Sequence, residues 1–145
     1  MLLEIKKAVN DNIKLALGDI IIAGEIKEGF KRPSFFTYVT PISIRAAHRN
    51  YYDFNLIVGI RHYQGADNRT DIDKLRKFEK LDNQFKLLLK VGKHNFLIKN
   101  KSYMPFTDDY GFELKFEISE RMRVDLLTKE ERKTMEELEY GLTRN

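Results

Sequence analysis

Two runs of alternating residues constrain the fold of this chain more than any other feature. In the first, residues 49–63, one face carries Tyr52, Phe54, Leu56, Val58 and Ile60. In the second, residues 110–121, the apolar face carries Phe112, Leu114, Phe116 and Ile118, and the opposite face carries Glu113, Lys115, Glu117 and Ser119. Successive side chains of a β-strand point to opposite faces, so each run predicts a strand with one buried face. Such strands are typical of an antiparallel sheet covered on one side.

Two other stretches have the apolar spacing of amphipathic helices. The first carries Ile5, Val9, Ile13 and Ala16 and is expected to end near Gly18. The second begins at Thr70 or Asp71 and is expected to reach about Val91, with Gly92 as its stop. Its apolar stripe consists of Ile72, Leu75, Phe78, Leu81, Phe85 and Leu88. Both helices are therefore expected to cover the apolar face of the sheet.

The remaining strands complete an α+β domain. A short strand is expected at residues 20–22, a β-rich run at residues 34–47, with Pro41 at an edge or a bulge, and another strand at residues 94–102. The short link at residues 48–50 predicts a hairpin. The order α-β-β-β-α-β-β predicts one domain over residues 1–123, with a single, mostly antiparallel sheet of about four to five strands covered by two helices.

Residues 124–145 differ from this domain in charge. They hold six acidic and four basic side chains, whereas residues 1–123 hold 16 acidic and 22 basic ones. Thr128 and Glu131 form a capping box that predicts an appended helix ending near Tyr140. Its apolar residues are Leu126, Leu127, Met135, Leu138 and Leu142. Such an apolar strip is usually buried against another surface. That surface could belong to the same chain or to a neighbouring copy, and the sequence favours neither.

Composition excludes several classes of protein. The chain has no cysteine, which excludes disulfides, thiol nucleophiles and thiolate metal ligands. The longest apolar run, residues 20–23, is far shorter than the roughly 20 residues that span a bilayer. Residues 1–11 also lack the order of a secretion signal. With 42% apolar residues the chain can bury a core, so we expect a cytosolic or particle-associated globular protein.

Catalytic signatures are weak. The three histidines, at positions 48, 62 and 94, have no metal-ligand spacing, and no serine lies in a glycine-flanked elbow. Glu113 and Lys115 share a strand face downstream of Asp108 and Asp109, which is one arrangement used by Mg²⁺-dependent nucleases. The solvent face of an amphipathic strand explains the same alternation more simply. The sequence therefore predicts no enzyme and no catalytic, metal or cofactor site.

Basic residues near the strand ends leave nucleic-acid binding as an alternative. The candidate basic rim consists of Arg45, Arg49, Lys99, Lys101, Arg121 and Arg123. Such a rim either solubilises the domain or contacts a phosphate backbone. A second candidate surface, for contact with another protein, is the polar loop after the first alternating run. We expect this loop to project, and its candidate contact residues are Gln64, Asp67, Asn68 and Arg69.

The stretch EGFKRPSFF at residues 28–36, followed by the hairpin sequence RNYYDFNLIVGI at residues 49–60, gives the chain a family resemblance. With the element order above, residues 1–122 resemble the small tail terminator proteins of phages and prophages of Gram-positive bacteria. The resemblance implies a structural virion or tail-like-particle protein, made in the bacterial cytoplasm. Such a protein would form a homohexameric ring on the head-proximal end of the tail tube and stop its polymerisation.

The resemblance also implies partners. These are the tail tube protein, head connector proteins and, in a contractile tail, the sheath, with DNA passing through the lumen without specific binding. Another head–tail joining protein is an alternative, because it would also form a ring of identical subunits. Whether the tail contracts stays open.

Two groups of residues are candidates for the contact between subunits of such a ring. Phe35 and Phe36 are expected to point to opposite faces, one into the core and one under a neighbouring subunit. The loop at residues 64–71 would contact the tube or connector. The appended helix would bind the basic body of a neighbouring copy. Its apolar anchor consists of Met135, Leu138 and Leu142. The acidic residues that steer it are Glu136, Glu137 and Glu139.

Overall fold

The computed structural model describes residues 2–18, 20, 22–23, 32–107 and 110–123. The two helices are α1 (Leu2–Leu17) and α2 (Asp71–Gln84). The strands are β1 (Ile22–Ala23), β2 (Ser34–His48), β3 (Tyr51–Tyr63), β4 (Leu88–Val91), β5 (His94–Pro105) and β6 (Gly111–Arg123), and a 3₁₀ turn spans Ala66–Asn68. The predicted appended helix at residues 124–145 lies outside the described residues.

The strands form one sheet in the order β1-β2-β3-β6-β5-β4. β1 runs parallel to β2, and every other neighbouring pair is antiparallel. β2 and β3 form the predicted hairpin, and the register shifts between Pro41 and Ser43, where a bulge was one of the two expectations for this proline. The α+β prediction is confirmed, with a sixth strand that the sequence analysis did not include.

The extra strand arises because α2 is shorter than predicted. The helix ends at Gln84, and the amide of Phe85 closes it on the carbonyl of Leu81. After it, burial alternates along β4, with Leu89 and Val91 buried between exposed neighbours. Gly92, with φ +61°, lies in the turn between β4 and β5 and does not end the helix. The prediction of a helix reaching Val91 is therefore wrong, because an apolar run too short to show its period suits either element.

The core lies between one face of the sheet and the two helices. Phe112, Leu114, Phe116 and Ile118 are fully buried, as predicted from the alternation of β6. From α1 the buried residues are Ile5, Val9 and Ile13, and from the end of α2 they are Leu81 and Phe85. The core therefore contains the residues that the two periodicities select.

The other end of the α2 stripe is not in the core. Ile72 and Leu75 are 64% and 55% exposed, and Leu88, now in β4, is 52% exposed. Leu81 is the buried residue of α2, so the helix packs on the sheet through its C-terminal half. The sequence prediction of a fully buried stripe is wrong for these three residues.

Candidate interaction surfaces

The residues proposed for metal-dependent chemistry are engaged elsewhere. Glu113 is only 5% exposed; it accepts a hydrogen bond from the Tyr38 hydroxyl, and its Oε1 lies 3.7 Å from Arg61 Nε. Asp108 and Asp109 lie outside the described residues. Within the described ranges, no group of three His, Asp or Glu side chains is placed to hold a metal ion. The expectation that Glu113 lies on a solvated strand face is thus wrong, and its carboxylate is a structural acceptor.

The ring of Tyr38 crosses the neighbouring strand at Gly59. A Cβ atom on Gly59 would lie 2.1 Å from the Tyr38 ring, so this contact requires glycine. Arg61 stacks on the same ring, with its guanidinium carbon 5.6 Å from the centroid. Burial, together with the hydrogen bond to Glu113, raises the pKa of Tyr38 to about 12. This cluster on the face away from the helices joins β2, β3 and β6.

Replacing Gly59 by alanine is expected to lower the free energy of unfolding by about 1–3 kcal/mol. The methyl group would displace the Tyr38 ring and leave the buried Glu113 carboxylate without that hydroxyl donor. Urea unfolding measures the loss. In a Tyr38→Ala background the same Gly59→Ala change should cost much less, because the clash and the hydrogen bond are already gone. Equal losses in both backgrounds would contradict this role of Gly59.

His62, near the end of β3, is a second buried polar centre. Its ring is 0% exposed and stacks on Phe35 at 4.3 Å. Nδ1 donates to the Ser34 carbonyl at 3.1 Å, and Nε2 accepts from Lys77 Nζ at 3.1 Å. Burial and, to a smaller extent, the positive Lys77 together lower the pKa of His62 to about 4. Position 62 continues the even-numbered apolar face of β3, which is the signal that could have located it.

The loop after β3 is only partly a projection. Gln64 is buried, and its side-chain amide donates to the Thr70 carbonyl at 3.0 Å and to Asp73 Oδ2 at 2.9 Å. The prediction that Gln64 projects is therefore wrong, since it fastens the loop to the start of α2. Asp67 and Arg69 are exposed, and the Arg69 guanidinium carbon lies 4.4 Å from the Tyr110 ring centroid. The Asn68 side chain lies outside the described part.

Phe35 and Phe36 do point to opposite faces of the sheet, but both are buried by this chain. Phe35 is 1% exposed and lies against His62 in the core. Phe36 is 4% exposed and meets the Tyr63 ring edge-on at 5.6 Å. The expectation that a neighbouring subunit covers one of these rings is wrong, because packing within the chain already buries both.

The candidate basic rim does not form one continuous group. Arg45, Asp53 and Arg121 lie side by side across β2, β3 and β6, and Arg121 Nε is 2.8 Å from Asp53 Oδ1. Arg49 lies in the β2–β3 turn, and Arg123 pairs with Tyr51 near the same end. The other two candidates lie away from this end of the sheet. Lys99 is opposite Glu117 on β6, and Lys101 Nζ is 2.6 Å from Asp82 Oδ1 of α2.

Exposed apolar side chains mark a patch that the sequence analysis missed. Leu88 and Leu97 face each other across β4 and β5 on the face away from the helices, and are 52% and 44% exposed. Leu87, 67% exposed, directly precedes β4. We call these three residues the β4 patch. It was missed because Leu88 was assigned to a helix.

A cavity of about 340 Å³ opens between the end of α1 and the side of α2. Leu17, Ile20, Pro33 and Phe35 form its apolar lining. From α2 it is lined by Asp73, Arg76, Lys77 and Lys80. Lys77 Nζ lies 3.0 Å from Asp73 Oδ2, so one of the three cations is paired within the cavity wall. The cavity is therefore apolar at its base and positively charged on the helix side.

A protein-family model described as phage tail terminator protein matches residues 4–133. The match spans the whole described domain, from the first turn of α1 to the end of β6. The chain belongs to the phage tail terminator family. The resemblance drawn from the hairpin and its preceding turn is thereby confirmed, and the match continues past Arg123 into the acidic segment. No curated protein matches the chain.

Membership of the tail terminator family gives the chain a structural role in a phage tail, in contact with other tail proteins. Tail terminators are a structural family, and their place is the tail of the virion. Neither described helix is long and apolar enough to cross a membrane. For a terminator, the surfaces described above are candidates for assembly contacts.

Proposed function

We propose that this tail terminator closes into a homohexameric ring on the head-proximal end of the tail tube, stops tube polymerisation and joins the tube to the head connector. In a contractile tail the same ring would also hold the last sheath layer. The family match over residues 4–133 carries the proposal. A head-to-tail interface that closes after six copies needs two different patches on each subunit. The β4 patch and the exposed start of α2 supply apolar surface of the kind that interfaces bury.

Electron microscopy of the purified protein, alone and mixed with tail tubes, tests this function. We expect rings with sixfold symmetry, bound to one end of each tube, and tubes that stop growing when the protein is added during polymerisation. Size-exclusion chromatography with light scattering measures the number of chains per particle. Tubes that elongate unchanged in a molar excess of the protein would contradict a terminator role.

In this proposal the exposed end of the loop after β3 contacts the tube or the connector. Asp67 and Arg69 are exposed there, whereas Gln64 holds the loop to α2. Reversing the charge of both exposed residues should weaken tube binding without changing the ring. Co-sedimentation with tubes measures the binding, and the ring seen by light scattering serves as the control.

Nucleic-acid binding is the second candidate function, and the arginines near the β2–β3 turn favour it. Two features weaken it: Arg121 is paired with Asp53, and Lys101 with Asp82. A binder would lose affinity steeply with salt, because lysine and arginine contacts release counterions. A fluorescence titration with duplex DNA at two salt concentrations distinguishes the two, and we expect no saturable binding by the terminator.

We also propose that residues 124–145 clasp a neighbouring subunit. Met135, Leu138 and Leu142 would anchor the contact, with Glu136, Glu137 and Glu139 steering it. A chain that ends at Val124 should form weaker rings than the chain that ends at Asn145. Light scattering across a dilution series measures the difference, and equal ring stability of both chains would contradict the clasp.

A further inference from the structure

We infer that the cavity between α1 and α2 receives the acidic segment, residues 124–145, of an adjacent copy. The inference rests on the proposed ring and names the receptor surface for its clasp. It assigns a binding role to Arg76 and Lys80, which the sequence analysis did not select.

The chemistry of the cavity selects an occupant that is both apolar and acidic. Its base consists of aliphatic and aromatic side chains from the end of α1 and the start of β2. Its α2 wall carries Arg76, Lys77 and Lys80 against the single carboxylate of Asp73, which is paired with Lys77. Arg76 and Lys80 are exposed at the rim, where they can meet carboxylates of an incoming chain.

Residues 124–145 have the matching composition. The segment carries an excess of two negative charges, and three of its acidic residues crowd into positions 136–139. Met135, Leu138 and Leu142 recur at helical spacing beside them. One segment thus offers an apolar strip for the cavity base and carboxylates for the rim.

The register of the sheet separates Phe35, at the base of this cavity, from the end of β6 in the same chain. Phe35 at the cavity pairs with His62, which pairs with Phe112, eleven residues before Arg123. At the rise of a strand, this separation is about 36 Å along β6. If residues 124–127 are extended and the helix begins at Thr128, Glu136 lies at most about 27 Å from Arg123. By the same reckoning only the last turn, near Leu142, would reach Phe35 in the same chain, whereas the cavity of an adjacent copy is not subject to this limit.

The β4 patch is the competing receptor within the same chain. It lies near the end of β6, since Ile98, next to Leu97, pairs with Ile118. Beside the patch, Lys99 lies opposite Glu117 in the register, and Lys90 shares the exposed face of β4 with Leu88. The cavity combines a recessed apolar base with an excess of positive charge on its α2 wall, so it fits the acidic segment better.

Cysteine cross-linking tests the inference in the full chain, because the natural sequence has no cysteine. Two chains are prepared, one with Ile20→Cys at the cavity and one with Leu138→Cys in the segment. After mixing and mild oxidation, we expect a product of two chains that neither variant forms alone. The matched control pairs Leu138→Cys with Leu97→Cys in the β4 patch, once on separate chains and once on the same chain, and should give no product in either case.

Three results would overturn the inference, and they separate it from the ring itself. Rings that form normally but give no Ile20–Leu138 product contradict the receptor and leave the proposed function standing. A chain that stays monomeric in light scattering contradicts both. A cross-link within one chain, when both cysteines are on it and no mixed product forms, also contradicts docking between copies.

Charge exchange provides an independent readout. Arg76→Glu with Lys80→Glu should weaken self-association about tenfold, and adding Glu136→Lys with Glu139→Lys should restore it. Lys90→Glu with Lys93→Glu makes the same charge change in β4 and the β4–β5 turn, and adding Glu136→Lys with Glu139→Lys to it should restore nothing. If Glu136→Lys with Glu139→Lys did not restore association, direct contact of these glutamates with Arg76 and Lys80 would be contradicted.

Discussion

Replacing Gly111 by alanine is expected to remove about 3–5 kcal/mol from the free energy of unfolding, which is enough to unfold a marginally stable domain. Gly111 has φ +153°, a conformation that side chains with a Cβ rarely adopt. A Cβ there would lie 1.8 Å from the carbonyl oxygen of His62. That atom belongs to the backbone of β3, so only a shift of the central strand pair could relieve the clash.

Gly92→Ala is the matched control for this prediction. Gly92 also has a positive φ, +61°, but a Cβ there would have no atom within 4 Å. The expected loss is about 1 kcal/mol, from backbone conformation alone. Urea unfolding of both variants, with circular dichroism as the probe, measures the two losses. Similar losses would show that the close approach to β3 has no effect on stability.

Acidification from pH 7 to pH 4 is expected to cost about 3 kcal/mol through His62 alone. Its pKa is about 4 in the fold, against an ordinary value of 6.5, because burial and Lys77 disfavour the charged ring. The unfolded chain therefore binds the proton first, and stability falls as the pH drops through this window. Below the folded pKa the contribution of His62 is fully lost and no longer changes.

A non-titrating variant isolates this effect from other acid-labile groups. His62→Gln keeps a side chain able to hydrogen-bond but removes the titration, so its stability should fall less between pH 6.5 and 4. In Lys77→Met the folded pKa of His62 should rise, because one of the charges that lowers it is gone. NMR titration of the imidazole protons measures both pKa values. A His62 midpoint near 6.5 in the native protein would contradict the buried, neutral ring.

Local pattern was sufficient for much of this fold. The alternation in β3 and β6 and the spacing in α1 placed the strands, the helix and their buried faces, because the period of an element determines which residues share its face. It failed at β4, where three consecutive leucines and a lysine suited helix and strand equally. It also misjudged the beginning of α2, whose apolar residues have helical spacing but no core beneath them.

The candidate surfaces depended more on the tertiary structure. Glu113 read as a solvated residue, yet it is buried by Tyr38, a residue 75 positions away in the sequence. Gln64 and Phe36 read as available for partners, and both are covered within the chain. Lys101 read as part of a basic rim, and it pairs with a carboxylate on α2.

By itself, the sequence determined the α+β class, the positions of most elements and, through the turn and hairpin, the tail terminator family. The tertiary structure decided which polar residues are buried, which cations have partners and where a charged cavity opens. The physical reason is the range of the interactions involved. Periodicity acts within one element and is visible in a dozen residues, whereas a buried ion pair or a cavity wall needs residues from elements that meet only after folding.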